Sequence, residues 1–194
     1  MFLFAQFFPL PLKNILFGKR KIYGTKVDEN DKDWIEWLKI YNDFYTNTQK
    51  KGVGSFVNNT GYKILKKVDL TNKTILEIGP GSMYHINYLQ GTPKKYIIAD
   101  VDKFFLQKSK TELDNNNIKN ETIYISDRNS SDIARIEKNS IDVILTFYSL
   151  EHLYELKDNL ISYNQYLAED GMIVGSVPCK GGLAWGLGRF LTSR

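Results

Sequence analysis

The chain has a single cysteine, Cys179, among 194 residues. That excludes an internal disulfide framework and fits a reducing, cytoplasmic compartment. Its two histidines, His85 and His152, stand far apart, and no Cys/His cluster has metal-ligand spacing, so no metal is expected. A membrane-spanning helix needs about 20 apolar residues. The apolar opening from Met1 to Leu12 is shorter than that and is broken by Pro9 and Pro11. Excess charge is also scarce: 26 Lys and Arg against 22 Asp and Glu leave a net +4, which gives no argument for a nucleic-acid partner.

What is present suits a packed domain. Apolar residues make up 42% of the chain, somewhat below the globular average, and charged ones an ordinary 25%, so a packed core is expected. The charge is unevenly spread. Residues 1–27 hold Lys13, Lys19, Arg20, Lys21 and Lys26 and no acid, and Asp28, Glu29, Asp31, Asp33 and Glu36 follow. A signal peptide would place its positive charge before the apolar run and a small-residue cleavage site after it, and neither pattern occurs. Two readings of residues 1–21 stand: a segment packed over the domain or its substrate entrance, or a peripheral membrane anchor whose Phe and Leu enter the interface beside Lys19-Arg20-Lys21.

Two regions differ in periodicity. Residues 1–70 read as an apolar and helical extension. Trp34, Trp37, Leu38, Tyr41, Phe44 and Tyr45 recur at helical spacing over Asp33–Tyr45, and a second helix is predicted over Phe56–Leu70. Residues 71–194 alternate strands with helices. Strands are predicted at Thr74–Gly79, Tyr96–Asp100, Thr122–Ser126, Ile141–Phe147 and Met172–Val177. Helices are predicted at Ser82–Gln90, Asp102–Leu113, Ser131–Glu137 and Glu151–Leu167. This order implies an α/β, doubly wound, mostly parallel sheet, which binds ligands at the carboxyl ends of its strands where the strand order reverses.

Residues suited to a ligand stand at those ends. Glu77-Ile78-Gly79-Pro80-Gly81 closes the first strand. Its glycines permit a sharp bend and close backbone approach, and a helix starting near Ser82 would offer unpaired N–H groups. A glycine pair by itself also suits a plain strand-to-helix turn. Asp100 ends the second strand, where an acid can accept both hydroxyls of a ribose, while Asp102 suits the cap of the next helix. Val101 could pack on an adenine face. Asp127, after the third strand, could accept from an adenine amino group or stand as a solvated loop acid.

Four segments in order, Ile75-Leu76-Glu77-Ile78-Gly79-Pro80-Gly81, Ile98-Ala99-Asp100-Val101-Asp102, Ile125-Ser126-Asp127, and Ser140 to Thr146 running into Leu150-Glu151-His152-Leu153, give the chain its family likeness. Over about residues 74–178 it resembles the class I S-adenosylmethionine-dependent methyltransferases, in particular those acting on small molecules, lipids and sugars. The resemblance implies a Rossmann-like methyltransferase fold with S-adenosyl-L-methionine as cofactor. Glu77, Gly79, Pro80 and Gly81 would surround the methionine moiety, Asp100 the ribose, and Val101 and Asp127 the adenine. Thr146 and Phe147 would line the floor beneath the sulfonium, and Tyr148 would face the substrate. His152 is the candidate general base, with His85 second. The acceptor would be a small molecule, lipid or sugar rather than nucleic acid.

Two departures bear on this. Met83 stands where the family often has a third glycine. Too few residues follow Pro178 for the helix and two strands that usually complete the sheet, so those last two strands are expected to be missing. The edge of the fifth strand would then be covered by a partner or by the N-terminal segment. A truncated or degenerate domain serving as a non-catalytic binding module is the alternative function. A nicotinamide-dependent oxidoreductase fits less well, because its fingerprint wants glycine where Tyr84 stands. Flotation with anionic vesicles separates the two readings of residues 1–21: an anchor floats with the vesicles, and a packed segment does not.

Overall fold

The apolar strand Thr74–Ile78 (β1) is buried on both faces after its first residue, as a central strand of a parallel sheet must be. The computed structural model describes residues 59–126, 131–153 and 155–177, with the single positions 9, 11, 32, 35, 36 and 40. The rest of the apolar opening and residues 178–194 lie outside the described residues. Of the helix expected over Asp33–Tyr45, Ile35, Glu36 and Ile40 are described, each helical and exposed.

Four further strands complete the sheet: Lys95–Asp100 (β2), Asn120–Tyr124 (β3), Ile141–Phe147 (β4) and Leu167–Ser176 (β5). The order is β3-β2-β1-β4-β5, and every pairing is parallel. The chain therefore moves outward from β1 to β3 and returns across β1 to β4. The switch point falls between β1 and β4, and the crevice at their carboxyl ends is where a sheet of this type takes its ligand. Asp142 fixes the opposite end of the same pair: its carboxylate accepts from the Thr74 backbone N–H at 2.8 Å and lies 3.4 Å from Lys73 Nζ.

Alternate residues of each strand supply two cores. One face carries Ile75, Tyr96, Ile98, Val143, Leu145 and Phe147, packed against Tyr62, Leu65, Leu70 and Met83. The other carries Leu76, Ile78, Ile97, Ala99, Ile123 and Ile144, packed against Ile133, Tyr163 and Tyr166. Tyr62 and Leu65 come from a helical turn at 59–62 that tightens into a 3-10 segment at Lys63–Lys67. This replaces the continuous helix expected over Phe56–Leu70.

Helix Lys103–Asn115 (α1) begins where Asp102 was expected to cap it: the Asp102 side chain accepts from Phe104 N at 2.8 Å. The helix expected at Ser82–Gln90 is not formed. Turns run to a short 3-10 segment at Ile86–Tyr88, closed by i→i+3 bonds such as Ile86 N–H to Met83 O at 3.0 Å. Met83 adopts a left-handed φ of 53°, which an α-helix cannot include, and His85 turns inward to 1% exposure. The segment expected as one helix over Glu151–Leu167 also divides. A 3-10 turn at Leu150–His152 precedes helix Leu156–Asn164 (α2), with Glu155 at φ 45° before it. Leu156, the first residue of α2, is 40% exposed. Beyond β5 no strand pairs among the described residues, and Met172 and Ile173 on it are half-exposed.

These packing assignments can be checked by urea unfolding. Leu76→Ala, in the centre of the sheet, should cost about 2–5 kcal/mol, whereas Asp102→Ala should cost only ~1 kcal/mol through its lost cap.

Candidate active site at the carboxyl end of the sheet

At the end of β1 the chain bends through Gly79 (φ 67°) and Gly81 (φ 57°) into Met83. Gly79 N–H still bonds Ala99 O at 2.8 Å, extending the β1–β2 ladder by one residue. A Cβ on Gly79 would stand 2.8 Å from the Ser149 Cβ, so only glycine lets the bend meet the loop after β4. Pro80 is buried, and its carbonyl accepts from Met83 N–H at 3.1 Å. Met83 takes a left-handed conformation of the kind that favours glycine, and its side chain is buried in the core at 1% exposure.

Asp100 lies against this bend. Its carboxyl accepts from Asp102 N–H at 2.9 Å and from the backbone N–H groups of Val101 and Gly81. Burial raises its pKa to about 7, with Asp102's charge adding to the rise and the backbone N–H groups opposing it. Val101 beside it is 42% exposed, open to a flat apolar ligand.

Glu77 has no solvent exposure. Tyr96 Oη donates to its Oε2 at 2.7 Å, and His85 Nε2 lies 3.0 Å from Oε2. His85 Nε2 is also 3.0 Å from Oε1, yet Oε1 makes no hydrogen bond. Burial, followed by Glu77's charge and hydrogen bond, pushes the Tyr96 phenol well above its usual range, so it stays protonated as a donor. His85 packs in a three-ring cluster with Tyr62 and Phe147, at centroid distances of 5.4 and 5.2 Å.

The end of β4 closes the site. Thr146 and Phe147 are buried, and Phe147 meets the Tyr62 ring edge-on at 5.3 Å. Tyr148 has a left-handed φ of 56°, a strained conformation of the kind that gathers at functional sites, and its ring packs edge-on to Tyr62 at 5.7 Å. Its hydroxyl reaches so close to Gly61 that a Cβ there would collide with it.

The structure thus brings together Glu77, Gly79, Pro80, Gly81 and Asp100, with Thr146, Phe147 and Tyr148 on the neighbouring strand end. His152 stands apart: its side chain is 71% exposed, 4.0 Å from Glu151. Asp127 lies outside the described residues; the end of β3 is held instead by Asp132, whose carboxylate accepts from Ser126 N–H and Oγ at 2.7 and 2.8 Å. Sequence reading missed Tyr96, Tyr62, Gly61 and Ser149 and took His85 only as a second base. The available clue was Glu77 itself, a charge in an otherwise apolar strand that must find buried partners.

A parallel sheet ordered 3-2-1-4-5, a glycine bend after β1 and an acid closing β2 beside it define the class I S-adenosylmethionine-dependent methyltransferase architecture. The family model described as "Methyltransferase domain" matches residues 51–188, and the chain belongs to that family. Among solved structures it is similar to Haemonchus contortus phosphoethanolamine N-methyltransferase 1 in complex with phosphoethanolamine and S-adenosylhomocysteine. The TM-score is 0.54 and the identity 18%, over 75% of this chain and 32% of that one. It is also similar to an S-adenosyl-L-methionine-dependent methyltransferase from Methanococcus maripaludis, with TM-score 0.51 and 15% identity over 73% and 63% of the two chains. A third similarity is to the complex between the Haloferax volcanii Trm112 methyltransferase activator and a methyltransferase, with TM-score 0.53 and 13% identity over 74% and 58%. In each case the match spans less than two thirds of the solved chain. No curated protein matches this chain.

The Asp100 environment makes stability pH-dependent. Its folded pKa of about 7 lies above the ordinary 3.8, so the folded state holds the extra proton between those values. Stability is therefore greatest below pH ~4 for this group and falls as pH rises through ~7, by at most of order 4 kcal/mol. In thermal melts from pH 5 to 8 the wild type should lose stability relative to Asp100→Asn. Parallel curves would remove the assignment.

Proposed function

We propose that this domain transfers a methyl group from S-adenosyl-L-methionine to a small-molecule, lipid or sugar acceptor at the carboxyl ends of β1, β2 and β4. One observation carries the reading. Glu77 Oε1, Tyr84 Oη, Thr146 Oγ1, Ser149 Oγ and Ser176 Oγ are all buried oxygens without a hydrogen-bond partner, and all lie at or just beyond the carboxyl ends of β1, β4 and β5. An unsatisfied buried polar atom costs about 1–3 kcal/mol, so such a cluster at a switch point fits a polar ligand.

The residues suit the parts of that cofactor. Glu77 Oε1 can accept from the ammonium of the methionyl end. At Asp100, three backbone N–H groups occupy most of the about four acceptor positions of a carboxylate, leaving room for a ribose hydroxyl. Val101 offers an apolar surface for the base. The bound cofactor supplies a methyl group already activated by its sulfonium. The chain's own task is then to align the acceptor at about 3–3.5 Å and exclude water. Tyr148, half-buried and packed edge-on against the buried Tyr62, is suited to that task and to an acceptor with apolar surface. Where the acceptor must lose a proton, His152 is the imidazole open to it, since His85 is held on Glu77.

S-adenosylhomocysteine at 100 times its dissociation constant should add about 2.7 kcal/mol of stability, and an unchanged thermal midpoint with millimolar ligand would overturn the reading. Because ionised Asp100 is the form that accepts ribose hydroxyls, affinity should rise as pH passes ~7. A radiolabelled-methyl screen over lipid, glycan and small-molecule extracts identifies the acceptor class. Cofactor binding with no methyl incorporation in any extract would favour the non-catalytic module.

A further inference from the structure

Glu77 poses a physical problem that the cofactor reading does not by itself solve. A carboxylate with no solvent exposure is costly unless paired and fully hydrogen-bonded. Among the described residues its only ion-pairing neighbour is His85, and no lysine or arginine is placed on it. Tyr96 Oη donates to Oε2 at 2.7 Å, and His85 Nε2 spans the carboxylate, 3.0 Å from Oε2 and 3.0 Å from Oε1. The two donors also meet each other, with Tyr96 Oη 3.4 Å from His85 Nε2. For fold stability alone, an apolar residue at position 77 would serve as well or better.

We propose that His85 and Tyr96 are positioning residues, which clamp the Glu77 carboxylate, Tyr96 on Oε2 and His85 across both oxygens, so that Oε1 is presented to the ammonium group of the cofactor. The clamp comes from two separate elements, the β2 strand and the turn after the glycine bend, so Glu77 cannot rotate without breaking both contacts. His85 is held by its packing against Tyr62 and Phe147, and its 1% exposure gives it no route to solvent. Tyr96 is equally buried and remains a donor throughout the physiological range. The lost helix at Ser82–Gln90 then has a reason: a regular helix could not include the left-handed Met83 that precedes His85 in the turn leading it to Glu77.

The proposal rests on the methionyl end meeting Glu77, and calorimetry with two ligands separates the two ideas. S-adenosylhomocysteine carries the ammonium group; 5′-methylthioadenosine shares the adenosyl and thioether parts and lacks the amino acid. Tyr96→Phe and His85→Leu should each weaken S-adenosylhomocysteine about tenfold while changing methylthioadenosine by less than about twofold. His85→Gln, which can return an N–H toward Oε2, should recover most of the loss. Equal weakening of both ligands in folded variants marks a merely structural role and overturns the proposal, as does unchanged S-adenosylhomocysteine affinity. Tyr96→Phe keeps its ring in the core and decides the matter if His85→Leu does not fold. Glu77→Gln tests the reading beneath: if it leaves S-adenosylhomocysteine affinity intact, the ammonium does not meet Glu77 and both ideas fall. If Glu77→Gln weakens binding and the clamp variants do not, the proposal alone fails.

Discussion

Desolvation of two carboxylates sets the terms on which the carboxyl edge of this sheet is built. Glu77 and Asp100 end or nearly end adjacent strands, and both are withdrawn from water. Each must recover the lost hydration from fixed donors, and the local chain is shaped by that need. Asp100 draws the backbone of Gly81, Val101 and Asp102 around itself. Glu77 draws in His85 and Tyr96. The glycine bend lies between these two groups of contacts, and its position follows from both.

The two acids are satisfied differently. Asp100 is surrounded by neutral backbone dipoles, so its burial raises its pKa and keeps it close to the point of gaining a proton. Glu77 is bound by side chains and keeps one oxygen unsatisfied. The first environment suits hydroxyl groups, which share acceptors readily. The second suits a cation, and among the described residues no lysine or arginine lies on it.

Much of the fold was legible because the sheet obeys simple rules. β4 was read residue for residue, Ile141–Phe147, since a β-branched and apolar run interrupted only by Asp142 and Thr146 admits little else. Asp102 was read as a cap from its place before a helical pattern, and it caps α1. Asp100 and the Gly79–Gly81 bend were legible as the carboxyl ends of two consecutive strands. What could not be read was set by contacts distant in sequence. Ser82–Gln90 has helical spacing, but the pull of buried Glu77 on His85 and the left-handed Met83 override it. Gly61 gave no local sign of its role, because the groups that exclude a Cβ there, Tyr148 and Ser176, come from β4 and β5.

Met83 has a mechanical consequence. A left-handed residue with a side chain carries a strain of about 1–2 kcal/mol, which burial of the methionine, worth about 1.5–3 kcal/mol, offsets. A glycine here would leave the bend free to flex as a hinge; the methionine instead nails it to the packed face of the sheet. Amide protons of the bend should therefore exchange with solvent only as slowly as those of the core strands, and a ligand arriving there meets a preformed surface rather than a mobile flap.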